Sequence, residues 1–235
     1  MRRLNDHLRL AHSVIISNIW LLEDGFGRRF LVDTGHLLER YALMASLHRA
    51  GIKGPGDLTA ILLTHRHSDH AGNAAYLRAH FDCPVICHAD DAQVLSGAAP
   101  RDKMAKGKAR FHEELLCHIE DHFPALSPVD ETYGKGDWKW GFHIVEVPGH
   151  TPGSVMLHHD ATRTLFSGDA ILTGIPPVRA LEVIRLAEPG FSDDTESCRA
   201  LVREYLRQMP PTDAVCSGHG PLVHKRASEK LRKLC

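Results

Sequence analysis

The sequence predicts an α/β protein, and two patterns support this class. Along the first half, short apolar runs that suit buried strands alternate with segments whose apolar residues recur at helical spacing. Along the second half, short strand-like runs bounded by glycine, proline or aspartate follow one another closely. We therefore expect strands and helices to be interleaved in the first half and strands to dominate the second.

Length, charge and cysteine usage narrow the class of protein. The 235 residues suffice for the core of one domain, so we expect a single domain over 1–235 with a helical insert at about 97–130. Lysine and arginine (28) nearly balance aspartate and glutamate (29), which gives no electrostatic reason to expect nucleic acid as the main partner. No apolar stretch has the length of a signal peptide or a membrane span, and the six cysteines form no CxxC pair. We therefore expect a cytoplasmic protein without membrane association or disulfides.

The chain is predicted to open with a hairpin and a helix. Residues 12–22 form an apolar run typical of a strand, Glu23-Asp24-Gly25 turns the chain, and residues 29–33 return as the hairpin partner. A polar turn, Asp33-Thr34-Gly35, follows. Apolar residues then recur at helical spacing and predict an amphipathic helix over about 37–49, marked by Leu37, Tyr41, Met44 and Leu47.

The densest group of potential metal ligands follows the next predicted strand, residues 60–63. Thr64-His65-Arg66-His67-Ser68-Asp69-His70, named here the histidine loop, holds four such side chains in six residues. Small residues after it lead into a helix predicted over 74–80. Imidazoles at positions i and i+2, followed by a carboxylate and a third imidazole, can converge on one or two metal ions. The alternative is a chance cluster in a chain with 18 histidines, and the other ligands must decide between the two.

The middle of the chain carries a further strand, a helix start and the insert. Residues 83–88 are predicted as a short strand and residues 89–91 as the start of a helix. Within the insert, apolar residues at helical spacing predict an amphipathic helix, marked by Met104, Phe111, Leu115 and Ile119. Core packing is its expected role, and a lid over the substrate is the alternative. Five further histidines are not expected as functional ligands, although the last two could bind adventitious metal: His36, His88, His112, His118 and His122.

The second half is predicted to be rich in short strands, at 138–140, 142–147, 154–159 and 164–167. A helix is expected to open at 193–196 and to end before Pro210-Pro211. A last strand over 213–216 and a basic tail over 225–233, predicted as a solvated helix, complete the chain.

Three predicted strand ends in this half place one potential ligand beside glycine: Gly149-His150, Gly168-Asp169 and Gly218-His219. Glycine lets the backbone come close to a crowded site. Each alone is weak support, because a lone histidine or aspartate at a turn is more often a cap or a surface group. Together with the histidine loop they make five histidines and two aspartates, a complete set for two metal ions.

With these residues the chain resembles the metallo-β-lactamase-fold hydrolase superfamily, which includes glyoxalase II and the lactonases. The resemblance extends from Ser17-Asn18 through Asp33-Thr34-Gly35 to His219. It implies a four-layered αββα sandwich with the site at one edge of the two sheets. It also implies that Asp33 orients a ligand, the alternative being a turn-forming aspartate. The implied metal ligands are His65, His67 and His150 for one ion and Asp69, His70 and His219 for the other, with Asp169 bridging both.

The implied chemistry is hydrolysis of a small-molecule substrate with two divalent metal ions as cofactors. Between two cations the pKa of a bridging water drops from about 15.7 to about 7, and the resulting hydroxide is the expected nucleophile. Asp69 would orient that hydroxide. Ligation by nitrogen and oxygen without thiolate favours zinc and tolerates iron or manganese. We expect an ester, thioester or lactone as substrate, with a phosphodiester as runner-up.

Differences between this sequence and individual members of the superfamily narrow the range of expected activities. β-Lactamases would lack a bridging carboxylate such as Asp169, so at most weak β-lactamase activity is expected. Only 16 residues follow His219, so the glutathione-binding domain of glyoxalase II is not expected. Lactonases typically place a tyrosine three residues after the bridging aspartate, where this chain has Leu172. A mononuclear iron persulfide dioxygenase is the alternative from another reaction class, although its arginine-containing signature is not matched by residues 172–177.

Substrate contacts are expected outside the ligands, in the segment 173–192 and in the insert. Apolar residues with scattered arginine suggest a moderately hydrophobic substrate that carries an anionic group. Ordinary surface and packing roles are the alternative for the residues that suggest this: Pro176, Pro177, Arg179, Leu181 and Arg185.

Overall fold

The computed structural model describes residues 1–11, 16–101, 103–104, 111–174 and 181–235, with some side chains of the helix that starts at 111 left undescribed. The chain divides into two compact units. The first contains residues 1–99 and 125–133, and the second contains residues 100–124 and 134–235. No helix among the described residues is both long enough and apolar enough to pass through a bilayer. The single-domain prediction stays a prediction.

Among the described residues, a seven-stranded sheet forms the framework of the first unit. Its strands follow chain order: β1 (Arg2–Arg3), β2 (Leu8–Leu10), β3 (Trp20–Glu23), β4 (Arg29–Val32), β5 (Ala60–Leu62), β6 (Val85–Cys87) and β7 (Glu131–Thr132). Pairs up to β4 are antiparallel, and pairs from β4 to β7 are parallel. Every residue of β5 and β6 is buried, which is typical of parallel strands covered on both faces. The strands predicted at 29–33, 60–63 and 83–88 are confirmed, with small differences at their ends.

The strand predicted over 12–22 is shorter in the structure. Residues 12–15 lie outside the described residues, and strand geometry begins only at Trp20. The hydroxyl of Ser17 donates a hydrogen bond to the backbone carbonyl of Asp69. This contact ties the stretch before β3 to the histidine loop.

The helices of the first unit are α1 (Arg40–Arg49), α2 (Ser68–Ala71), α3 (Ala74–Phe81) and α4 (Ala89–Leu95). The helix predicted over 37–49 is confirmed, with a 3₁₀ turn at Leu37–Glu39 before α1. Its predicted apolar face is wrong in part, because Tyr41 is 89% exposed while Met44 and Leu47 are buried. At about 100° per residue, Tyr41 lies roughly 120° around α1 from Leu47, so Tyr41 faces solvent while Leu47 faces the core.

The described part of the second unit contains the insert helix, two sheets and two further helices. In chain order these are α5 (Phe111–His122), β8 (Gly136–Asp137), β9 (Phe142–Glu146), β10 (Val155–His159), β11 (Thr164–Gly168), β12 (Ile171–Leu172), β13 (Arg185–Leu186), α6 (Thr195–Gln208), β14 (Ala214–Ser217) and α7 (Ala227–Arg232). The main sheet has the order β14-β11-β10-β9-β8, and β12 pairs with β13. Strands β11 and β14 are parallel, and the other pairs of the main sheet are antiparallel.

Most second-half predictions are confirmed within one or two residues, and two are wrong. Residues 138–140 are not a strand, because Lys139–Gly141 form a 3₁₀ turn in which Trp140 has a φ of +60°. The tail helix α7 is not solvated throughout. Ala227 and Leu231, four residues apart on one helix face, are buried in the apolar core of the second unit.

The helix predicted within the insert is confirmed as α5. Met104 is buried, whereas the side chains of the other three marker residues lie outside the description. Cys117 of α5 is buried, and its thiol lies 3.4 Å from the carbonyl oxygen of Gly190. This contact is made within the second unit and supports a packing role for that side of the helix.

Candidate metal centre

The four donors of the histidine loop lie close together in the first unit. β5 ends at Leu62, and α2 begins at Ser68 within the loop. The three imidazoles of the loop are buried, and the side chain of Asp69 is 24% exposed. Potential ligand atoms of His65 lie within 4.8 Å of those of His67 and of His70, and the same limit holds between His70 and Asp69. The loop therefore brings its own donors within reach of shared ions.

Asp33 lies behind this loop, one residue after β4. Its carboxylate accepts hydrogen bonds from the Thr64 backbone N–H (2.8 Å), the Thr64 hydroxyl (2.9 Å) and His70 Nδ1 (2.8 Å). Asp33 has a φ of +60°, a left-handed conformation that aspartate tolerates better than most residues. The turn conformation therefore directs this carboxylate at two residues of the histidine loop.

The hydrogen bonds of Asp33 fix the proton positions of two imidazoles. A carboxylate accepts, so Nδ1 of His70 carries the proton in that contact. The single hydroxyl proton of Thr64 points to Asp33, so in the 3.0 Å contact between Thr64 Oγ1 and His65 Nδ1 the imidazole must donate. In both rings Nε2 therefore keeps its lone pair, which is the state that a metal ligand requires.

Asp169 lies between two histidines in the second unit. Its Oδ2 atom is 3.3 Å from Nε2 of His219 and 3.7 Å from Nε2 of His150. Gly168 pairs with Ser217 in the parallel β11–β14 ladder, so Asp169 and His219 follow neighbouring strands at the same edge of the sheet. His150 comes from the connection between β9 and β10. The second unit thus gathers two imidazoles around one carboxylate oxygen.

Two glycines in contact hold the segment that bears His219. Gly220 has a φ of +110°, and a Cβ atom there would lie 2.1 Å from the backbone nitrogen of Gly174. The backbone N–H of Thr173 donates to the carbonyl of His219 (3.0 Å), and the Thr173 hydroxyl donates to the carbonyl of Pro221 (2.7 Å). Glycine at 220 permits this approach, and residues 173–174 therefore determine where the backbone of His219 lies.

The segment after Gly174 has its two ends joined. The backbone N–H of Val183 donates to the carbonyl of Thr173 (2.9 Å). The guanidinium of Arg185 donates to the carbonyl of Gly174 (3.1 Å) and pairs with the carboxylate of Glu188. These bonds support the packing alternative for Arg185 over a role in binding a substrate anion.

The structure describes some of the remaining candidate substrate contacts and histidines. Leu181 is 56% exposed. His36 and His88 each accept a hydrogen bond at Nδ1 from a backbone N–H two residues later, which is a helix-capping role. The ring centroids of His118 and His122 lie 4.2 Å apart on α5. Three candidates lie outside the described residues: Pro176, Pro177 and Arg179.

Sequence reasoning missed two residues that contact the candidate ligand segments. Asp91 of α4 is buried and accepts from the backbone N–H of Arg66 (2.9 Å) and from its guanidinium (3.0 Å). Ser192 Oγ lies 3.1 Å from Nδ1 of His150. The sequence indicates Asp91 only as part of a helix start and Ser192 only as the end of a candidate substrate segment. An arginine between two predicted ligands is the one clue, because a buried guanidinium requires an acidic partner.

The donors in each unit fit divalent metal ions. They are imidazole nitrogens and carboxylate oxygens, the ligand types of zinc, iron and manganese. The proton positions of His65 and His70 direct the Nε2 lone pairs away from Asp33 and Thr64. Each unit therefore offers a partial ligand set whose chemistry suits a metal.

Comparisons with known proteins agree with this chemistry. The family model described as the metallo-beta-lactamase superfamily matches residues 13–219. The probable metallo-hydrolase YybB of Bacillus subtilis (strain 168) is 30% identical over 206 residues, which cover 86% of this chain and 79% of that protein. The hydroxyacylglutathione hydrolase of Bdellovibrio bacteriovorus is 29% identical, and the match covers 69% of this chain and 49% of that enzyme.

Solved structures give the same result. The BLEG-1 B3 metallo-beta-lactamase superposes with a TM-score of 0.64 at 26% identity, covering 92% of this chain and 93% of the other. TTHA1623 in a di-iron-bound form has a TM-score of 0.60 at 28% identity, covering 89% of this chain and 90% of the other.

Proposed function

The chain belongs to the metallo-beta-lactamase superfamily, and on that premise we propose that it is a dinuclear hydrolase of an ester, thioester or lactone. The predicted fold of that superfamily and the predicted enzyme class, a metal-dependent hydrolase, are confirmed by the matches. The number of metal ions, their ligands and the substrate class are what we propose beyond them.

The position of Asp169 is the observation that most supports two metal ions. Its Oδ2 atom lies within 3.7 Å of Nε2 of both His150 and His219, which supports a carboxylate shared by ions bound to each imidazole. We assign three ligands to each ion and Asp169 to both. The first set is His65, His67 and His150, and the second is Asp69, His70 and His219.

The residues around the ions would each have a defined task. When bound, two divalent ions would lower the pKa of a coordinated water to about 7 and polarise the scissile carbonyl group. Asp69, whose side chain is 24% exposed, would accept a hydrogen bond from the attacking water and orient it. Asp33 would hold the imidazoles of His65 and His70 in their ligating tautomer and orientation.

Several buried thiols are unsuited to act as an alternative nucleophile. Burial raises the pKa of the Cys198 thiol to about 11 and that of Cys83 to about 12, and burial also raises the pKa of Cys87 and of Cys216. Because the thiolate is the reactive form, these cysteines are inert at neutral pH. Buried thiols also suit a reducing compartment, and a cytoplasmic location is part of the proposal.

One relative supports the hydrolysis of an acyl group, and one similar structure bears on the identity of the metal. The Bdellovibrio relative is named for hydrolysis of a hydroxyacylglutathione, but this chain spans about half of its length. We therefore extend the acyl chemistry to this chain and leave the glutathione moiety aside. Zinc is the proposed metal because of the nitrogen and oxygen donors, and iron is the alternative because a similar structure holds two irons.

A substrate panel run on protein of measured metal content tests the proposal. We expect two zinc ions per chain and hydrolysis of a lactone, ester or thioester, with little turnover of a phosphodiester or a β-lactam. One tightly bound iron per chain, with oxygen consumed on a persulfide, would contradict the proposal and favour a dioxygenase.

Replacing Asp169 tests the two-metal assignment directly. In Asp169→Ala we expect the loss of about one metal ion per chain and a fall in kcat/KM of roughly 100-fold or more, because both ions lose a shared ligand. Metal analysis and steady-state kinetics measure the two effects. Asp137→Ala, at a carboxylate whose side chain is 95% exposed, is the matched control and should change neither. An Asp169→Ala protein with two metals and full rate would rule out bridging.

A further inference from the structure

Ser192 makes two contacts that together fix the proton of His150. Its hydroxyl donates to the backbone carbonyl of Glu188 at 2.7 Å. The same oxygen lies 3.1 Å from Nδ1 of His150. A serine hydroxyl has one proton, and here that proton points to Glu188. In the contact with His150, Ser192 Oγ must therefore accept, and Nδ1 of the imidazole must donate.

We propose that Ser192 is a positioning residue that holds His150 in the Nδ1-protonated tautomer and so directs the Nε2 lone pair to a metal ion. Both side chains are 3% exposed, so water does not readily replace either partner. The tautomer part of the proposal stands on the hydrogen bonds alone. The metal part rests on the proposed function, in which His150 is a ligand.

The backbone around Ser192 is fastened to the backbone around His150. The N–H of Asp194 donates to the carbonyl of Gly149 at 2.7 Å, and the N–H of Asp193 approaches the carbonyl of His150 at 3.4 Å. A Cβ atom on Gly149, whose φ is +127°, would lie 2.2 Å from the Asp194 carbonyl oxygen. The distance between the Ser192 hydroxyl and the imidazole is therefore set by main-chain contacts on both sides.

The turn that presents Ser192 is itself braced within the second unit. The guanidinium of Arg199 donates to the carbonyl of Ala187 (3.0 Å), and Arg185 pairs with the carboxylate of Glu188. On the other side the thiol of Cys117 in α5 contacts the carbonyl of Gly190 (3.4 Å). The Glu188 carbonyl, which takes the Ser192 proton, is thus held in place by contacts that do not involve His150.

The first test reads the tautomer without any metal. Long-range ¹H–¹⁵N spectra of the metal-free protein report which ring nitrogen carries the proton, and the His150 signals are identified by their loss in His150→Gln. We expect Nδ1–H in the wild type and a mixture of tautomers or the other tautomer in Ser192→Ala. Ser197→Ala, the same change at an exposed hydroxyl of α6 that donates to Asp194, is the matched control and should leave the spectrum of His150 unchanged.

The second test measures the zinc dissociation constant by competition with a chelator. We expect a 10- to 100-fold rise in the dissociation constant for Ser192→Ala, as is typical when a partner of a ligating histidine is removed. Ser192→Thr keeps the hydroxyl on the extended backbone (φ −122°) and should restore both the tautomer and most of the affinity. Ser197→Ala should bind as the wild type does.

The outcomes separate this inference from the proposed function. An unchanged His150 tautomer in a folded Ser192→Ala protein, or a changed tautomer with unchanged zinc affinity, would overturn the role of Ser192. If the wild type bound no zinc, the proposed function would fail while the tautomer measurement still decided the hydrogen-bond assignment. Circular dichroism identifies an unfolded variant, and the Ser192→Thr result then decides: loss of the Nδ1–H tautomer in a folded Ser192→Thr protein would also overturn the inference.

Discussion

At the scale of single residues, proton placement determines whether an imidazole can bind a metal. His65, His70 and His150 each face an oxygen at Nδ1 that must accept, since the neighbouring hydroxyl protons point elsewhere or the neighbour is a carboxylate. Sequence motifs predicted these histidines, and the family resemblance implied only one of their partners, Asp33. Ser192 lies 42 residues from His150, so no local spacing links the two and only the fold brings them together.

Asp33→Asn tests this arrangement with a change of one atom. Thr64 N–H and His70 Nδ1 donate to different oxygens of the Asp33 carboxylate. In asparagine one of these oxygens is replaced by an NH₂ group, which donates, so one of the two hydrogen bonds is lost. We expect the zinc dissociation constant to rise roughly 10- to 100-fold, measured by chelator competition. Asp137→Asn makes the same change at a 95% exposed side chain and should have no effect. Equal zinc affinity in wild type and Asp33→Asn would show that Asp33 is merely a turn residue.

At the scale of elements, the histidine loop is held by a helix that follows it in the chain. Asp91 of α4 accepts hydrogen bonds from both the backbone and the guanidinium of Arg66, and Arg66 lies between the proposed ligands His65 and His67. The side chains of Arg66 and Asp91 are 6% and 0% exposed, so the ion pair is buried.

Most element positions were predicted, because buried strands such as β5 and β6 are apolar throughout. The errors at 138–140 and in α7 arose where a local turn and a tertiary contact overrode the local pattern.

Removing one partner of this buried pair should be costly. We expect Asp91→Ala to lower the free energy of unfolding by about 3–5 kcal/mol, because the buried guanidinium of Arg66 loses the carboxylate with which it pairs. The double variant Arg66→Met/Asp91→Leu should recover most of that loss, since neither charge remains. Urea unfolding measures both. Asp90→Ala, at a side chain that is 63% exposed, should cost at most about 1 kcal/mol. A loss as small in Asp91→Ala as in Asp90→Ala would contradict the importance of the pair.

At the scale of the whole molecule, stability should fall in mild acid because of a histidine that is not among the proposed ligands. Burial lowers the pKa of His158 below its ordinary value of 6.5, so the folded protein keeps this ring neutral where the unfolded chain takes up a proton. The unfolded state therefore binds more protons below about pH 6.5, and stability declines as pH falls from there, by at most about 1.4 kcal/mol per pH unit for one group. Above that pH the group contributes no slope.

Urea unfolding of the wild type and of His158→Gln between pH 7.5 and 5.5 measures this contribution. The variant should lose less stability over the interval than the wild type does. His224→Gln, at an exposed histidine, should keep the slope of the wild type. Identical slopes in wild type and His158→Gln would contradict the prediction.

Family membership was within reach of the sequence because the ligand motifs are local and lie beside strand ends, as at Gly168-Asp169 and Gly218-His219. The identity of the substrate could not be predicted from the sequence, because substrate contacts depend on side chains that have no fixed spacing along the chain. Arg185 illustrates this. Its charge suggested binding of an anionic substrate group, but its guanidinium donates to the Gly174 carbonyl and pairs with the Glu188 carboxylate.

The hydrogen bond between Val183 and Thr173 makes the stretch between them suitable for exchange. A loop whose ends are already joined costs only about 0.6 kcal/mol for each doubling of its length. Asp169 and His219 are anchored on the neighbouring strands β11 and β14, and Ser192 follows the Arg185–Glu188 pair. Gly174 contacts Gly220 beside His219 and accepts a hydrogen bond from Arg185, so it must be kept. Grafting longer or shorter sequences between Gly174 and Val183, with both residues kept, is therefore the way to test whether this stretch sets the substrate range.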